Sequence, residues 1–175
     1  LGTGFVTTAY KKNRCPLDVH KAAVESMREL NRDASQAAQK FAASSATDIT
    51  GFGLAGHAIE MARASGVQLV IELEKLPFLP GIAELITAGH HTRANATNRR
   101  AAKTWLRIEG EPNPNSLDLA FDPQTSGGLL VSIAAEQAPA FVDACRQAGA
   151  QSTTMIGEVH QMIDPLVTPP LILRG

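Results

Sequence analysis

The chain has 175 residues, 44% of them hydrophobic and 19% charged, with a formal net charge of −1, a composition that suits one globular domain, or at most two small ones, with a real buried core. So small a net charge gives no field that would gather nucleic acid or an acidic membrane surface, and an aromatic content of 5% is poor material for stacking single-stranded nucleic acid. No apolar run reaches the roughly 18 residues of a membrane span, and no charged-then-apolar secretory leader is present.

The chain opens at Leu1, not Met, on Leu1-Gly2-Thr3-Gly4, which reads as a fragment with a segment missing before it. Residues 4–9 (GFVTTA), rich in β-branched side chains, predict a short strand. Residues 18–30 predict a helix, with Val19, Ala22, Ala23, Met27 and Leu30 on one face. A second helix is expected over 33–43 on the stripe Ala34, Ala37, Ala38, Phe41 and Ala42, and Asp33 with Gln36 resembles a capping box at its start. Residues 45–50 are a weak strand ahead of a glycine-bearing turn. The helix expected over 52–65 is apolar almost all round, with only His57, Glu60 and Arg63 as a polar stripe, so it is buried; Gly66 stops it.

Residues 67–73 alternate Val67, Leu69, Ile71 and Leu73 on one side, a strand pattern. A short helix is expected at 81–88, a polar mobile loop at 89–100, a strand at 103–108 and a loop at 110–116. Residues 117–121 lead to a turn at Asp122-Pro123. A strand at 128–133, a helix at 136–148 and a strand at 152–159 follow. The proline-rich tail is expected to end along a sheet edge. Interleaved helices and strands imply an α/β, or α+β layered, domain with helices packed on a mixed sheet. Cys15 and Cys145 are too few for a disulfide framework and lack metal-ligand spacing; Cys145 lies on the apolar face of its helix and reads as core.

Chemistry concentrates in Thr47-Asp48-Ile49-Thr50-Gly51-Phe52-Gly53-Leu54-Ala55-Gly56-His57. A carboxylate ends a strand, two glycines follow, and a buried helix begins. Gly51 and Gly53 allow positive φ and close backbone approach, and the amides of a helix start favour an anion. A carboxylate beside phosphate needs a divalent cation between them, so Asp48 reads as a Mg²⁺ ligand, or else simply as a turn or N-cap residue. Gly51, Gly53 and Gly56, with Glu72 further on, also satisfy the dinucleotide fingerprint, but Ser44 to Asp48 is poor material for the apolar strand that motif requires. The second informative stretch, Asp122-Pro123-Gln124-Thr125-Ser126-Gly127-Gly128-Leu129-Leu130, is either a tight turn feeding a strand or a loop that meets a ligand or a neighbouring domain.

These two motifs, in this order after Leu1-Gly2-Thr3-Gly4, resemble the carboxy-terminal domain of the selenophosphate synthetases (selenide, water dikinases). The similarity runs from Leu1 to near Val159. The wider superfamily holds aminoimidazole ribonucleotide synthetase, thiamine-monophosphate kinase and a hydrogenase-maturation protein. The resemblance implies a linker at 1–14 from a missing amino-terminal domain and a synthetase domain at 15–175. It implies a cytoplasmic enzyme that makes selenophosphate, AMP and orthophosphate from selenide and ATP with Mg²⁺. The missing half of a homodimer would carry the reactive Cys or selenocysteine, a catalytic Lys, a glycine-rich ATP segment and further metal-binding Asp residues. No catalytic residue is then expected in this chain. Asp48 becomes the metal ligand, Thr47, Gly51 and Gly53 shape its turn, and Asp122, Thr125, Ser126 and Gly127 line the interdomain cleft beside the nucleotide.

His57 with Glu60 is a possible metal pair or an ordinary i, i+3 surface pair. His90 and His91 read as solvated. Arg93, Arg99 and Arg100 are a basic surface or a phosphate contact from a mobile loop. Two other classes stay open: another ATP-using superfamily member acting on a small metabolite, and a non-catalytic regulatory domain of the same fold.

Overall fold

The computed structural model describes residues 1–164 and 166–175; Pro165, within the proline-rich tail, lies outside the described residues. Helices α1 (Thr3–Lys11), α2 (Leu17–Arg28) and α3 (Arg32–Lys40) lead to strand β1 (Ser45–Asp48), helix α4 (Gly53–Ser65) and strand β2 (Val67–Glu72). Helices α5 (Ile82–Thr87) and α6 (Arg93–Ala102), strand β3 (Leu106–Glu109), helix α7 (Pro114–Ala120), strand β4 (Leu129–Ser132), helix α8 (Ala138–Gln147) and strands β5 (Gly157–Gln161) and β6 (Leu171–Arg174) follow.

The strands form two sheets. β1 and β4 pair antiparallel, Ser45 opposite Ser132 and Asp48 opposite Leu129. The larger sheet runs β3-β6-β2-β5, with β2 parallel to β6 and antiparallel to β5, and β3 parallel to β6. It is the mixed sheet of an α/β domain, as expected. The nearly all-round apolarity of α4 has its cause here. Leu54, Ala55, Ala58, Ile59, Met61 and Ala62 are all buried, because the helix packs on β1, β2, β6, α6 and α7 at once. Its end is capped by Gly66 at φ 65, a left-handed conformation that costs glycine little. A smaller core holds Ala37 and Ala38 of α3 against Phe141 and Cys145 of α8, so Cys145 is core, as its helix face predicts.

Several expectations are overturned. Residues 4–9 are helix, not strand. Phe5, Val6 and Ala9 have 0%, 1% and 0% of their surface exposed, and the Thr7 hydroxyl donates to the Gly4 carbonyl at 3.1 Å. Burial of that face overrides a weak β propensity. The segment expected to be a linker therefore gives this domain a core helix. The Asp33–Gln36 capping box is absent: α3 starts from Asn31 with no side-chain cap. The polar stretch 89–100 is mostly α6, nucleated where the Thr92 hydroxyl accepts from the Asn95 amide at 3.0 Å. Residues 114–120, read as loop and approach to a turn, form α7, with Pro114 in its first turn and the Asn113 side chain accepting from the Asn115 amide at 2.9 Å. The strand expected at 152–159 lies later, as β5. The tail ends in β6, an interior strand, because Leu171, Ile172 and Leu173 are buried between β2 and β3.

Truncating the docked face of α1 tests its place in the core. Phe5→Ala is expected to cost about 3–5 kcal/mol in urea unfolding, while Leu17→Ala, at an exposed position of α2, stays within about 0.5 kcal/mol.

Candidate functional site

The three segments singled out in the sequence meet at one junction. β1 delivers Asp48 opposite Leu129, and the pairing continues as the Ile49 amide donates to the Gly128 carbonyl at 2.9 Å. The Thr50 carbonyl then accepts from the amides of Gly53 and Gln124, both at 3.0 Å. Gly53 has φ 71, and a β-carbon there would sit 2.9 Å from the Phe121 carbonyl carbon. A side chain is thus excluded both by conformation and by space. Gly51 has neither requirement: its φ is not positive and a β-carbon would meet nothing within 4 Å.

The opening segment is laced into the same junction by Gln124. Its side-chain oxygen accepts from the amides of Gly2 and Thr3 at 2.9 and 3.3 Å and from the Thr3 hydroxyl at 3.2 Å. Its amide nitrogen donates to the Asp122 backbone oxygen at 2.8 Å and to the Asp122 carboxyl at 3.0 Å. That carboxyl oxygen also accepts from the Gly4 amide at 2.9 Å, and the Thr125 amide donates to the Thr3 hydroxyl at 2.9 Å. A β-carbon on Gly4 would strike the other Asp122 oxygen.

Asp122 has no exposed surface, so its side chain faces the interior and not a cleft. Its Oδ1 has no hydrogen-bond partner. Burial pushes the carboxyl up to about 7, against the opposing pull of donors from Gly4, Gln124 and Phe5. Thr125 and Ser126 are exposed, and Gly127 is half-buried with its carbonyl held by the Asn31 side chain at 2.9 Å.

Asp48 itself is exposed, beside a half-buried Thr47 whose hydroxyl returns to the Asp48 backbone oxygen at 3.3 Å. No group of three or more His, Cys, Asp or Glu side chains could share a metal ion among the described residues. The hard oxygen donor that Asp48 offers suits Mg²⁺ held mainly by phosphate and water, and does not suit a closed protein cage. The first turn of α4 is packed: Gly53, Leu54 and Ala55 are buried, so the open anion-binding helix start read from the sequence is not there. The dinucleotide reading also fails, since β1 and β2 lie in different sheets and Glu72 pairs with Arg174 at 3.2 Å.

His57, expected on a polar stripe, is buried. Its ring bridges the Thr50 hydroxyl at 3.1 Å and Glu60 at 3.3 Å, so the i, i+3 pair is real. His91 and Arg99 both pair with Asp118, at 3.0 and 3.3 Å. Two asparagines of α6 escaped the sequence reading. Asn98 donates to the carbonyls of Gly51 and Phe121 at 2.9 and 3.1 Å, tying the two motif loops together, and Asn95 donates to the Asp118 carbonyl at 2.8 Å. Their three-residue spacing in a polar run was the available signal. Neither cysteine is poised to react: burial raises the thiol of Cys15, with Asp18 adding to it, and burial raises that of Cys145, which disfavours the nucleophilic thiolate.

The family model described as AIR synthase related protein, C-terminal domain, matches residues 5–162. The chain belongs to that family. Among curated proteins, this AIR synthase related domain is 41% identical to "Selenide, water dikinase" of Caldanaerobacter subterraneus subsp. tengcongensis, over 79% of the chain and 40% of that protein. It is 36% identical to "Selenide, water dikinase 2" of Peptoclostridium acidaminophilum, over 91% of the chain and 46% of that protein. Against "Selenide, water dikinase" of Clostridioides difficile the identity is 35%, with 91% and 46% covered. The chain spans less than half the length of these relatives.

The buried carboxyl gives a signed pH test. An unfolded Asp titrates near 3.9, so with a folded value of about 7 the native state holds this proton more tightly. Its contribution is therefore greatest below about pH 4 and is lost as pH rises to about 7, with a slope of at most about 1.4 kcal/mol per pH unit. Asp122→Asn keeps an acceptor for Gly4 and is expected to remove that slope in paired denaturant melts. Gly4→Ala, overpacking the same contact, is expected to destabilise by about 1–3 kcal/mol.

Proposed function

We propose that this domain is the carboxy-terminal part of a selenide, water dikinase, which transfers phosphoryl from ATP to selenide to give selenophosphate, AMP and orthophosphate. The observation that carries the reading is the identity of 35–41% to proteins of that name over 79–91% of the chain, which spans both motifs and the junction they build. The free cysteines accord with a reducing compartment, which we take to be the cytoplasm.

In this reading the domain forms one wall of an ATP cleft, and the amino-terminal half of a homodimeric protein forms the other. Asp48 supplies one carboxylate to Mg²⁺, whose bound charge neutralises the phosphates. The residues around it hold that carboxylate in place. Thr47 and the turn through Gly51 and Gly53 fix the strand end, while the exposed Thr125 and Ser126, followed by Gly127, line the cleft. Asp122 acts from inside, by holding their loop. Phosphoryl transfer depends largely on such positioning. One carboxylate cannot hold Mg²⁺ without the other ligands, so the isolated domain is silent.

In the full-length protein, Asp48→Asn is expected to lower selenide-dependent AMP formation by about a hundredfold or more with an unchanged melting temperature, since the side chain is exposed; normal turnover would refute the ligand role. Calorimetry on the isolated domain is expected to show no micromolar binding of Mg-ATP, and replacing selenide by other acceptors in the full-length assay is expected to stop AMP release.

A further inference from the structure

We infer that β5 is a self-association surface, which pairs antiparallel with β5 of a second copy of this chain in the register that sets Val159 opposite Val159. The inference stands apart from the reading of Asp48 and from the dimer expected through the amino-terminal half. β5 is the outer strand of the larger sheet, with β2 on one side only. All five of its residues are exposed, and the strand carries neither Lys nor Pro, two of the residues that blunt a sheet edge. Its pairing with β2 fixes which backbone groups are free. The Glu72 amide donates to the Ile156 carbonyl at 2.8 Å, and hydrogen-bonded pairs alternate along an antiparallel ladder. Glu158 and His160 therefore turn their backbone groups toward β2, while Val159 and Gln161 turn theirs outward. Outward backbone groups on an edge strand are a template for one more strand.

The side chains choose the partner and the register. A two-fold axis through Val159 puts Glu158 opposite His160 of the second copy, and the symmetry repeats the pair. Glu158 and His160 of one chain already lie 3.1 Å apart on the same face, so the four groups alternate carboxylate and imidazole. On the other face Val159 meets Val159, and the exposed Met155 and Ile163, which flank the strand, fall opposite each other. The same register brings the outward backbone of Val159 to its own counterpart. Moving the axis to Glu158 sets carboxylate against carboxylate, which is unfavourable. Moving it to His160 leaves each carboxylate opposite Met162. The run from Met155 to Ile163 is thus complementary to its own reverse, as a two-fold interface requires.

The test is sedimentation velocity on the 175-residue chain, which is expected to form a reversible dimer that dilutes to monomer. Glu158→Lys is expected to weaken the dimer by about tenfold or more, and the swap of Glu158→Lys with His160→Glu to return it to within about threefold of the parent. Val159→Pro removes an amide that faces away from β2, so it is expected to abolish the dimer and leave the fold intact. The exposed charge variants decide the matter if Val159→Pro does not fold. The register is read by cross-linking in a Cys15→Ser background. Directly opposed residues outside the hydrogen-bonded pairs have Cα atoms about 4.5 Å apart, within disulfide reach. Mixing Glu158→Cys with His160→Cys is therefore expected to give a disulfide-linked dimer that Glu158→Cys alone does not. A chain that stays monomeric up to about 1 mM overturns the inference. So does a dimer that the charge variants and Val159→Pro leave unchanged, since another surface then holds it.

Discussion

A buried amide side chain, that of Gln124, holds the candidate site of this domain together. It takes three donors from the chain's opening residues on its oxygen and gives both amide protons to Asp122. Every one of these groups lies out of water, where an unmade hydrogen bond costs about 1–3 kcal/mol. The segment 2–4 therefore cannot drift from the loop 122–125 without exposing or orphaning several polar groups at once. That is a stiff mount, and it is made of sequence segments more than a hundred residues apart.

From that mount the rest of the site follows. Because Thr50 accepts from Gln124, and Ile49 donates to Gly128, the turn that carries Asp48 is fastened to the same loop. Gly53 lets α4 begin directly on the 120–122 backbone, and Asn98 closes the outer side by spanning Gly51 and Phe121. One carboxylate, Asp122, is spent inward on structure, with an oxygen left without a partner. The other, Asp48, is left outside. Preorganisation of this kind matters for a domain that presents few groups, since a displacement of about 1 Å can cost a hundredfold in rate.

Helices with a clear apolar stripe are legible in the sequence: α2, α3, α4 and α8 lie within a few residues of where their periodicity puts them, and α5, β1, β2 and β4 also lie close to their expected places. The failures share one cause. α1 carries Val6, Thr7 and Thr8, locally strand-like, and is helical because Phe5, Val6 and Ala9 fill a core that only distant segments create. α6 has almost no apolar stripe; its asparagines pay their helical cost back through carbonyls of other loops. β6 is interior because β2 and β3 close over Leu171–Leu173 on both sides, which no local pattern in a proline-rich tail reports.

The sequence alone determined the family likeness, the mixed α/β class, the buried nature of α4 and the candidacy of Asp48, because these rest on residue order and on spacings within a few turns. Only the tertiary structure decided that Asp122 points inward while Asp48 points out, that His57 is a buried bridge, and that the opening residues belong to the core. Those facts depend on which distant backbone amides and carbonyls reach a given side chain, and on where water is excluded. Both are set by packing between segments far apart in the chain.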